Sequence, residues 1–219
     1  MRLVFCTLAL VAVATIARAD TLAGTAAVID GDTIEVAGVS VRLYGIDAPE
    51  AGQKCAEAGS GTWECGTAAT EAMAVLVEDE EVTCEIRGKD DFDRLLGVCK
   101  VDGVNVNERM VSDGHAWAFV KYASDYVPAE EKARAAALGV WQAPTMPPWE
   151  YRAQRWAVAE QEAPEGCPIK GNISSNGRIY HPPWSPWYSR TKIDTGKGER
   201  WFCSEGEALE AGWRAPRWR

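Results

Sequence analysis

The sequence has 219 residues, of which 47% are hydrophobic and 25% are charged. This balance is typical of a globular chain with room for one ordinary domain and a smaller one, and it argues against a disordered, collagen-like or coiled-coil protein. Residues 20–166 carry 12 basic and 27 acidic groups, whereas residues 167–219 carry nine basic and five acidic groups. The acidic larger part argues against tight non-specific binding of nucleic acid, but not against a metal-dependent site.

The N-terminus has the pattern of a secretory signal peptide. Arg2 precedes an apolar run over residues 3–16 that is too short to span a bilayer comfortably, and Ala17-Arg18-Ala19 follows it. We therefore predict that residues 1–19 form a signal peptide. The mature protein is then secreted or periplasmic, without stable membrane insertion.

Export determines how the cysteines of the mature chain are interpreted. An even number of cysteines in an oxidising compartment favours disulfides, and none of their spacings is the close Cys-x-x-Cys pair of a zinc site. Several pairings are formally open, and we predict the three that each close a local loop. They are Cys55–Cys65, Cys84–Cys99 and Cys167–Cys203.

The first part of the mature chain has β patterns. Strands are predicted over residues 26–29, 33–36 and 39–44. In the third strand Val39, Val41 and Leu43 alternate with other residues, so we expect these three side chains to face the core.

A helix and a hairpin follow. The helix is predicted over residues 67–77, and the hairpin strands over residues 82–87 and 95–101. In a symmetric hairpin Cys84 lies opposite Cys99, at a separation that suits a disulfide.

Three more helices are predicted, over residues 105–113, 128–138 and 149–162. This order of elements favours a small five-stranded barrel over a parallel α/β sheet, in which strands and helices would alternate. The predicted boundaries are 20–148 for the barrel domain, 149–165 for a linker helix and 166–219 for a small C-terminal module.

Five charged residues lie near the ends of the predicted strands. Asp32 and Asp47 can supply the oxygen ligands that hard cations such as calcium prefer, and Glu50 can serve as a general base. Arg42 and Arg94 can bind phosphoryl oxygens and stabilise the extra negative charge of a pentacoordinate phosphorus.

The order of these residues resembles a known family. Residues 28–33 and 41–50 are similar to the two signature segments of the thermonuclease, or staphylococcal nuclease-like, family. The likeness continues through residues 91–97, 104–107 and 136–141. It implies an α+β fold, a five-stranded OB-fold barrel with three helices, joined here to a disulfide-stapled module.

The resemblance also implies an activity, the calcium-dependent hydrolysis of phosphodiester bonds in DNA and RNA. The implied roles are calcium ligation by Asp32, Asp47 and the Ala48 carbonyl, water activation by Glu50, and phosphate binding by Arg42 and Arg94.

Two aromatic residues are expected to bind substrate. Phe92 stands where the family often has tyrosine, and it keeps a ring face for stacking. Tyr122 lies near the expected nucleotide pocket, where it stacks on a base or packs against the fold. Asp91 and Asp93, which flank Phe92, are expected to weaken the attraction of Arg94 for substrate.

The C-terminal segment resembles a small module found at the ends of secreted bacterial nuclease-like proteins. Its arginines and tryptophans suit two roles, a stabilising cap or the binding of nucleic acid or cell envelope. The tryptophans are Trp184, Trp187, Trp201, Trp213 and Trp218.

The sequence thus predicts a secreted calcium-dependent nuclease with DNA or RNA as substrate. The alternatives are a non-catalytic OB-fold module that binds nucleic acid or glycan in the cell envelope, and a structural envelope protein.

Overall fold

The computed structural model describes residues 20–90 and 94–217. The predicted signal peptide and the predicted stacking residue Phe92 lie outside these residues. The strands, in chain order, are β1 (Thr21–Val28), β2 (Thr33–Val36), β3 (Val39–Leu43), β4 (Ile46–Asp47), β5 (Cys55–Ala56), β6 (Thr62–Trp63), β7 (Glu81–Lys89), β8 (Leu95–Val101), β9 (Val104–Asn105), β10 (Trp117–Ala118), β11 (Ile169–Ser174), β12 (Gly177–His181) and β13 (Arg200–Phe202). The α-helices are α1 (Cys65–Val77), α2 (Val106–Ser112), α3 (Val127–Ala135), α4 (Pro148–Glu162) and α5 (Glu205–Glu210).

Five strands form a closed barrel. They lie in the order β3-β2-β1-β7-β8, with antiparallel neighbours, and the parallel pairing of β3 with β8 closes the sheet. Arg42 on β3 lies opposite Leu96 on β8 in this pairing. The predicted five-stranded OB-type barrel is confirmed, and the closing pair makes it a mixed sheet.

The barrel core is formed by apolar side chains that point inward from the strands. Val41 and Leu43 are buried as predicted, but Val39 is 41% exposed, so its predicted core position was wrong. Val39 pairs with the fully buried Val36 directly beside the hairpin turn, at the first position of its strand. The alternation of apolar residues along a strand therefore identifies buried side chains only where other parts of the protein cover that face of the sheet.

The β7–β8 hairpin confirms the predicted cysteine pair. Cys84 lies opposite Cys99, both side chains are fully buried, and a disulfide joins them in the barrel wall. The register then shifts between Ile86 and Gly88 by a β-bulge. The other two predicted disulfides, Cys55–Cys65 and Cys167–Cys203, are also present.

Helices α1, α2 and α3 accompany the barrel, close to the predicted ranges. Asn105, predicted as the first residue of a helix, instead caps α2: its side chain accepts a hydrogen bond from the Glu108 amide at 3.1 Å. Helix α3 ends at Ala135 rather than at Leu138, because Ala137 adopts a positive φ of 50°.

The C-terminal residues build a second, smaller core. Strands β12, β11 and β13 form an antiparallel sheet, and α5 packs on it. The buried side chains are Ile169, Tyr180, Phe202, Ala208 and Trp213. Trp213 therefore belongs to this core and not to a nucleic-acid surface. Within the described ranges, the helices are too short or too polar to cross a membrane.

Removal of the Cys84–Cys99 disulfide should lower the free energy of unfolding by about 3 kcal/mol, because the bond closes a loop of 15 residues. Urea denaturation of the double variant Cys84→Ala/Cys99→Ala measures the loss. Val75→Ala is the control, since Val75 is 85% exposed and its change should stay within about 0.5 kcal/mol. A double variant as stable as this control would contradict the expectation.

Candidate active site

The candidate site forms where the turn after β1 meets the end of β3. The Asp30 carboxylate accepts a hydrogen bond from the Asp32 amide at 3.1 Å, which closes a tight turn. The Leu43 amide donates to the Asp32 carbonyl at 2.8 Å and fixes this turn against β3. Asp32 is thereby held beside Arg42.

Arg42 joins the two carboxylates that were predicted to bind a cation. Its Nη2 lies 2.9 Å from Asp32 Oδ2 and 2.8 Å from Asp47 Oδ1. Asp32 also accepts hydrogen bonds from the Thr33 hydroxyl at 3.0 Å and from the Ala48 amide at 3.1 Å. The structure therefore brings Asp32, Arg42, Asp47 and Ala48 together at one end of the barrel.

The two aspartates of the first turn differ in their electrostatics. Burial raises the pKa of Asp32, but Arg42 and the Ala48 amide outweigh this effect and lower the pKa below its usual value. At Asp30, burial and the adjacent charge of Asp32 prevail and raise the pKa to about 7. Asp30 is a half-buried neighbour of the site, and no chemical role was predicted for it.

Glu50 lies in a turn that a single buried glutamine holds in place. The Gln53 side-chain oxygen accepts a hydrogen bond from the Glu50 backbone amide at 3.2 Å. The Gln53 backbone amide donates to the Glu50 carbonyl at 2.7 Å. The Gln53 side-chain nitrogen donates to the Met146 carbonyl at 2.8 Å. Gly66 of α1 packs on the same turn so closely that a Cβ there would collide with the Glu50 carbonyl.

A further arginine, absent from the sequence-based prediction, contacts these carboxylates. Arg152 lies in the first turns of α4, which begins with Pro148 at its first position. Its Nη1 lies 3.0 Å from Asp47 Oδ1 and 2.7 Å from Glu50 Oε1, and its Nη2 lies 2.8 Å from Asp47 Oδ2. Burial raises the pKa of Glu50 to about 8, although Arg152 acts in the opposite direction.

Arg94 directly precedes β8 and is held by a neighbour in sequence. Its Nε donates to Asp90 Oδ2 at 2.7 Å. Burial lowers the pKa of Arg94, but Glu205 and then Asp90 outweigh burial and raise it. Because Glu205 begins α5, the C-terminal core faces Arg94 with a carboxylate, and that carboxylate accepts from the Tyr180 hydroxyl at 2.9 Å.

A cleft of about 630 Å³ runs between the barrel and the C-terminal core. Arg42, Glu50, Arg94 and Arg152 all line it. Tyr122 lines it too, half exposed, with its ring edge-to-face against Phe119 at 5.2 Å between centroids. Tyr180 of the C-terminal core also lines the cleft, together with Trp184 and Trp187 from the segment that follows β12. The predicted site residues that the structure describes thus meet in one cleft, or lie against it.

The oxygen ligands suit calcium in their chemistry, but protein donors already occupy them in this arrangement. All four carboxylate oxygens of Asp32 and Asp47 accept hydrogen bonds, two of them from Arg152. Over residues 20–90 and 94–217, no three acidic, histidine or cysteine side chains are grouped as a metal site. The donor set therefore suits a hard cation in its chemistry, but a cation that binds Asp47 would have to take the place of Arg152.

Comparisons with known proteins agree with this fold. The family model described as staphylococcal nuclease homologue matches residues 40–143, and a second model, ArfC, matches residues 150–215. Succinoglycan biosynthesis protein ExoI of Rhizobium meliloti (strain 1021) is 35% identical over 131 residues, which are 57% of this chain and 67% of the relative. The chain belongs to the staphylococcal nuclease homologue family.

Two other relatives carry the name of an activity. A protein of Escherichia coli O157:H7 named uncharacterized endonuclease is 37% identical over 91 residues, 40% of this chain and 60% of the relative. Its namesake in Haemophilus influenzae (strain ATCC 51907 / DSM 11121 / KW20 / Rd) is 36% identical over 73 residues, 32% of this chain and 41% of the relative. The chain thus spans less than two thirds of the length of either relative.

The ranges of the two family models divide the site. Arg42, Asp47, Glu50 and Arg94 lie within the range matched by the nuclease homologue model, whereas Arg152 lies within the ArfC range. The contacts of Arg152 join residues that are 105 and 102 positions apart in the chain. No local pattern in the sequence could signal them.

Gly66→Ala should destabilise the protein by about 1–3 kcal/mol, because the added methyl group must displace the turn that carries Glu50. Helix propensity alone predicts the opposite sign, a gain of about 1 kcal/mol for Gly→Ala. Thermal unfolding of this variant and of Glu71→Ala, an exposed position on the same helix, measures the difference. A Gly66→Ala protein more stable than the parent would show that the contact is not tight.

Proposed function

We propose that this staphylococcal nuclease homologue is a secreted, calcium-dependent nuclease that hydrolyses phosphodiester bonds of DNA or RNA. The observation that carries the proposal is that Arg42 joins Asp32 to Asp47 beside Glu50, with Arg42 and Glu50 both on the cleft wall. Carboxylates for a cation, a candidate base and a phosphate-binding arginine are the groups that such a hydrolysis requires. The names of the endonuclease relatives support the same reaction class.

Calcium would be held by Asp32, Asp47 and the Ala48 carbonyl. A bound divalent cation supplies positive charge that stabilises the negative charge developing on the phosphoryl oxygens. Asp47 is fully buried and Asp32 nearly so, which makes a charge at this position effective because solvent screens it little.

Glu50 is proposed as the general base that removes a proton from the attacking water. Its side chain is 15% exposed and lines the cleft, so a water molecule can reach it. Gln53 fixes its backbone, which gives the carboxylate a defined position.

Arg42 and Arg94 are proposed to bind the scissile phosphate from two sides. Arg42 comes from β3 and Arg94 from the start of β8, strands that pair in parallel at the barrel closure. Guanidinium groups bind phosphate oxygens in pairs and stabilise the additional charge of the transition state. Phe92 and Tyr122 are proposed to stack on a base beside this phosphate.

Secretion or periplasmic export is proposed from the cysteine chemistry. Three disulfides join all six cysteines of residues 20–217, which is typical of proteins from oxidising compartments. We also propose a barrel domain over residues 20–148, a linker helix over 149–165 and a C-terminal module over 166–219. The separate hydrophobic clusters of the barrel and of the C-terminal residues support this division.

The competing function is a non-catalytic OB-fold module that binds nucleic acid or glycan in the cell envelope. The name of the Rhizobium relative, a succinoglycan biosynthesis protein, favours the glycan version. Incubation of the purified protein with single-stranded and duplex DNA, with calcium and with chelator, separates the two functions. Cleavage that chelator abolishes supports the nuclease, whereas binding without cleavage supports the module.

Glu50→Gln should lower the cleavage rate by about 10²-fold or more, since the amide cannot accept the proton from water. Arg94→Ala should have an effect of similar size, because the transition-state charge loses a donor. Initial rates on a short single-stranded oligonucleotide in calcium measure both. Arg109→Ala is the matched control, because the Arg109 side chain is 55% exposed and forms an ion pair with Asp113, one turn further along the chain.

Near-full activity of a folded Glu50→Gln variant would remove Glu50 from the mechanism. Circular dichroism of each variant establishes that lost activity is not lost folding.

A further inference from the structure

Arg152 contacts both a candidate cation ligand and the proposed general base. Its guanidinium binds both carboxylate oxygens of Asp47 and one oxygen of Glu50. The Arg152 side chain is 23% exposed, whereas that of Asp47 is fully buried. Arg152 therefore closes the cleft side of Asp47, while Arg42 contacts the same carboxylate from β3.

The oxygens that Arg152 occupies are those a cation would need. Asp47 Oδ2 accepts from Arg152, and Asp47 Oδ1 is shared between Arg152 and Arg42. A carboxylate oxygen has two lone pairs, and Asp47 Oδ1 uses both of them for Arg42 and Arg152, so that none is left for a metal ion. Calcium and Arg152 are therefore alternative occupants of the same carboxylate.

The charge balance leads to the same conclusion. Three carboxylates, those of Asp32, Asp47 and Glu50, face two guanidinium groups, those of Arg42 and Arg152. A divalent cation added to this cluster would leave excess positive charge in a buried place, which is costly. A divalent cation in place of Arg152 would instead leave one positive charge fewer beside the same three carboxyl groups.

Helix α4 connects the replacement of Arg152 by a cation to the C-terminal core. Arg155, one turn after Arg152, donates to the Pro183 carbonyl at 3.3 Å, and Trp156 packs against Trp184 at 6.2 Å between ring centroids. On the barrel side, the Tyr151 hydroxyl donates to the Gly52 carbonyl at 3.3 Å. A shift of Arg152 out of the site must therefore strain or release these contacts around the start of α4.

We propose that Arg152 is a built-in competitor of the divalent cation, so that cation binding and the docking of the first turns of α4 exclude each other. In the absence of cation, Arg152 satisfies the buried charge of Asp47 and covers Glu50. Cation entry displaces Arg152 and opens the cleft wall beside the proposed general base. This inference rests on the proposed cation site, but its test measures binding and not cleavage.

Isothermal titration with calcium chloride tests the exchange. The Arg152→Gln variant removes the competing charge and should bind calcium about tenfold more tightly than the parent, within the 5- to 150-fold range of typical binding couplings. Arg109→Gln is the matched control: it removes the same charge from an exposed position that pairs with Asp113 and has no contact to these carboxylates, and its affinity should equal that of the parent. Asp47→Asn in the Arg152→Gln background should abolish the binding and thereby locate it.

Equal calcium affinities of the parent and Arg152→Gln would overturn the competition and leave the proposed cation site intact, provided that Asp47→Asn still abolishes binding. Calcium binding by none of these proteins would remove the cation site, and with it both proposals. Chelator-sensitive cleavage by the parent reports separately on the proposed nuclease.

Hydrogen exchange of the parent protein provides a second measurement that does not require a variant. Calcium should increase amide exchange around the start of α4, over residues 148–156, relative to chelator, because displacement of Arg152 loosens that turn. In Arg152→Gln, exchange there should already be raised without calcium. Exchange that calcium slows over these residues would contradict displacement and would mean that the cation and α4 bind together.

Discussion

The burial of Asp47 is the constraint on which the rest of the site depends. A carboxylate with no exposed surface must be paired, since an unpaired buried charge costs several kcal/mol. Arg42 and Arg152 provide the pairing, and they come from β3 and from α4. One buried charge thus fixes the end of the barrel strand, the short strand that follows it and the helix that leads to the C-terminal core.

The barrel provides the rigid frame for this pairing. Asn107 of α2 is fully buried, and its side chain donates to the carbonyls of Tyr44 and Gly97 while accepting from the Cys99 amide. It therefore joins the end of β3 to β8 where the barrel closes. Buried networks of this kind are stable only when every polar atom is satisfied, and they then specify one arrangement. The Cys84–Cys99 disulfide adds a covalent link in the adjacent strand pair.

Local sequence patterns predicted those parts of the molecule whose partners are close in the chain. Alternation located β2, β3 and the β7–β8 hairpin, and the symmetry of that hairpin paired Cys84 with Cys99. Short pairs such as β4 with β10 escaped prediction, because two residues carry no periodicity. The C-terminal sheet also escaped, since glycine and asparagine interrupt the apolar pattern of β11. Arg152 had no signal at all, because an arginine on a polar helix is ordinarily solvated.

The turn from Glu50 to Gln53 has a consequence for how this chain can vary. Its backbone is held by the Gln53 side chain, by the Met146 carbonyl and by the close approach of Gly66, and Tyr151 bonds to Gly52 within it. Gly66, Met146 and Tyr151 thus all contact the same four consecutive residues. An inserted or deleted residue would break several of these contacts at once, so natural or engineered diversity in length is confined to other loops, such as the exposed turn between β11 and β12.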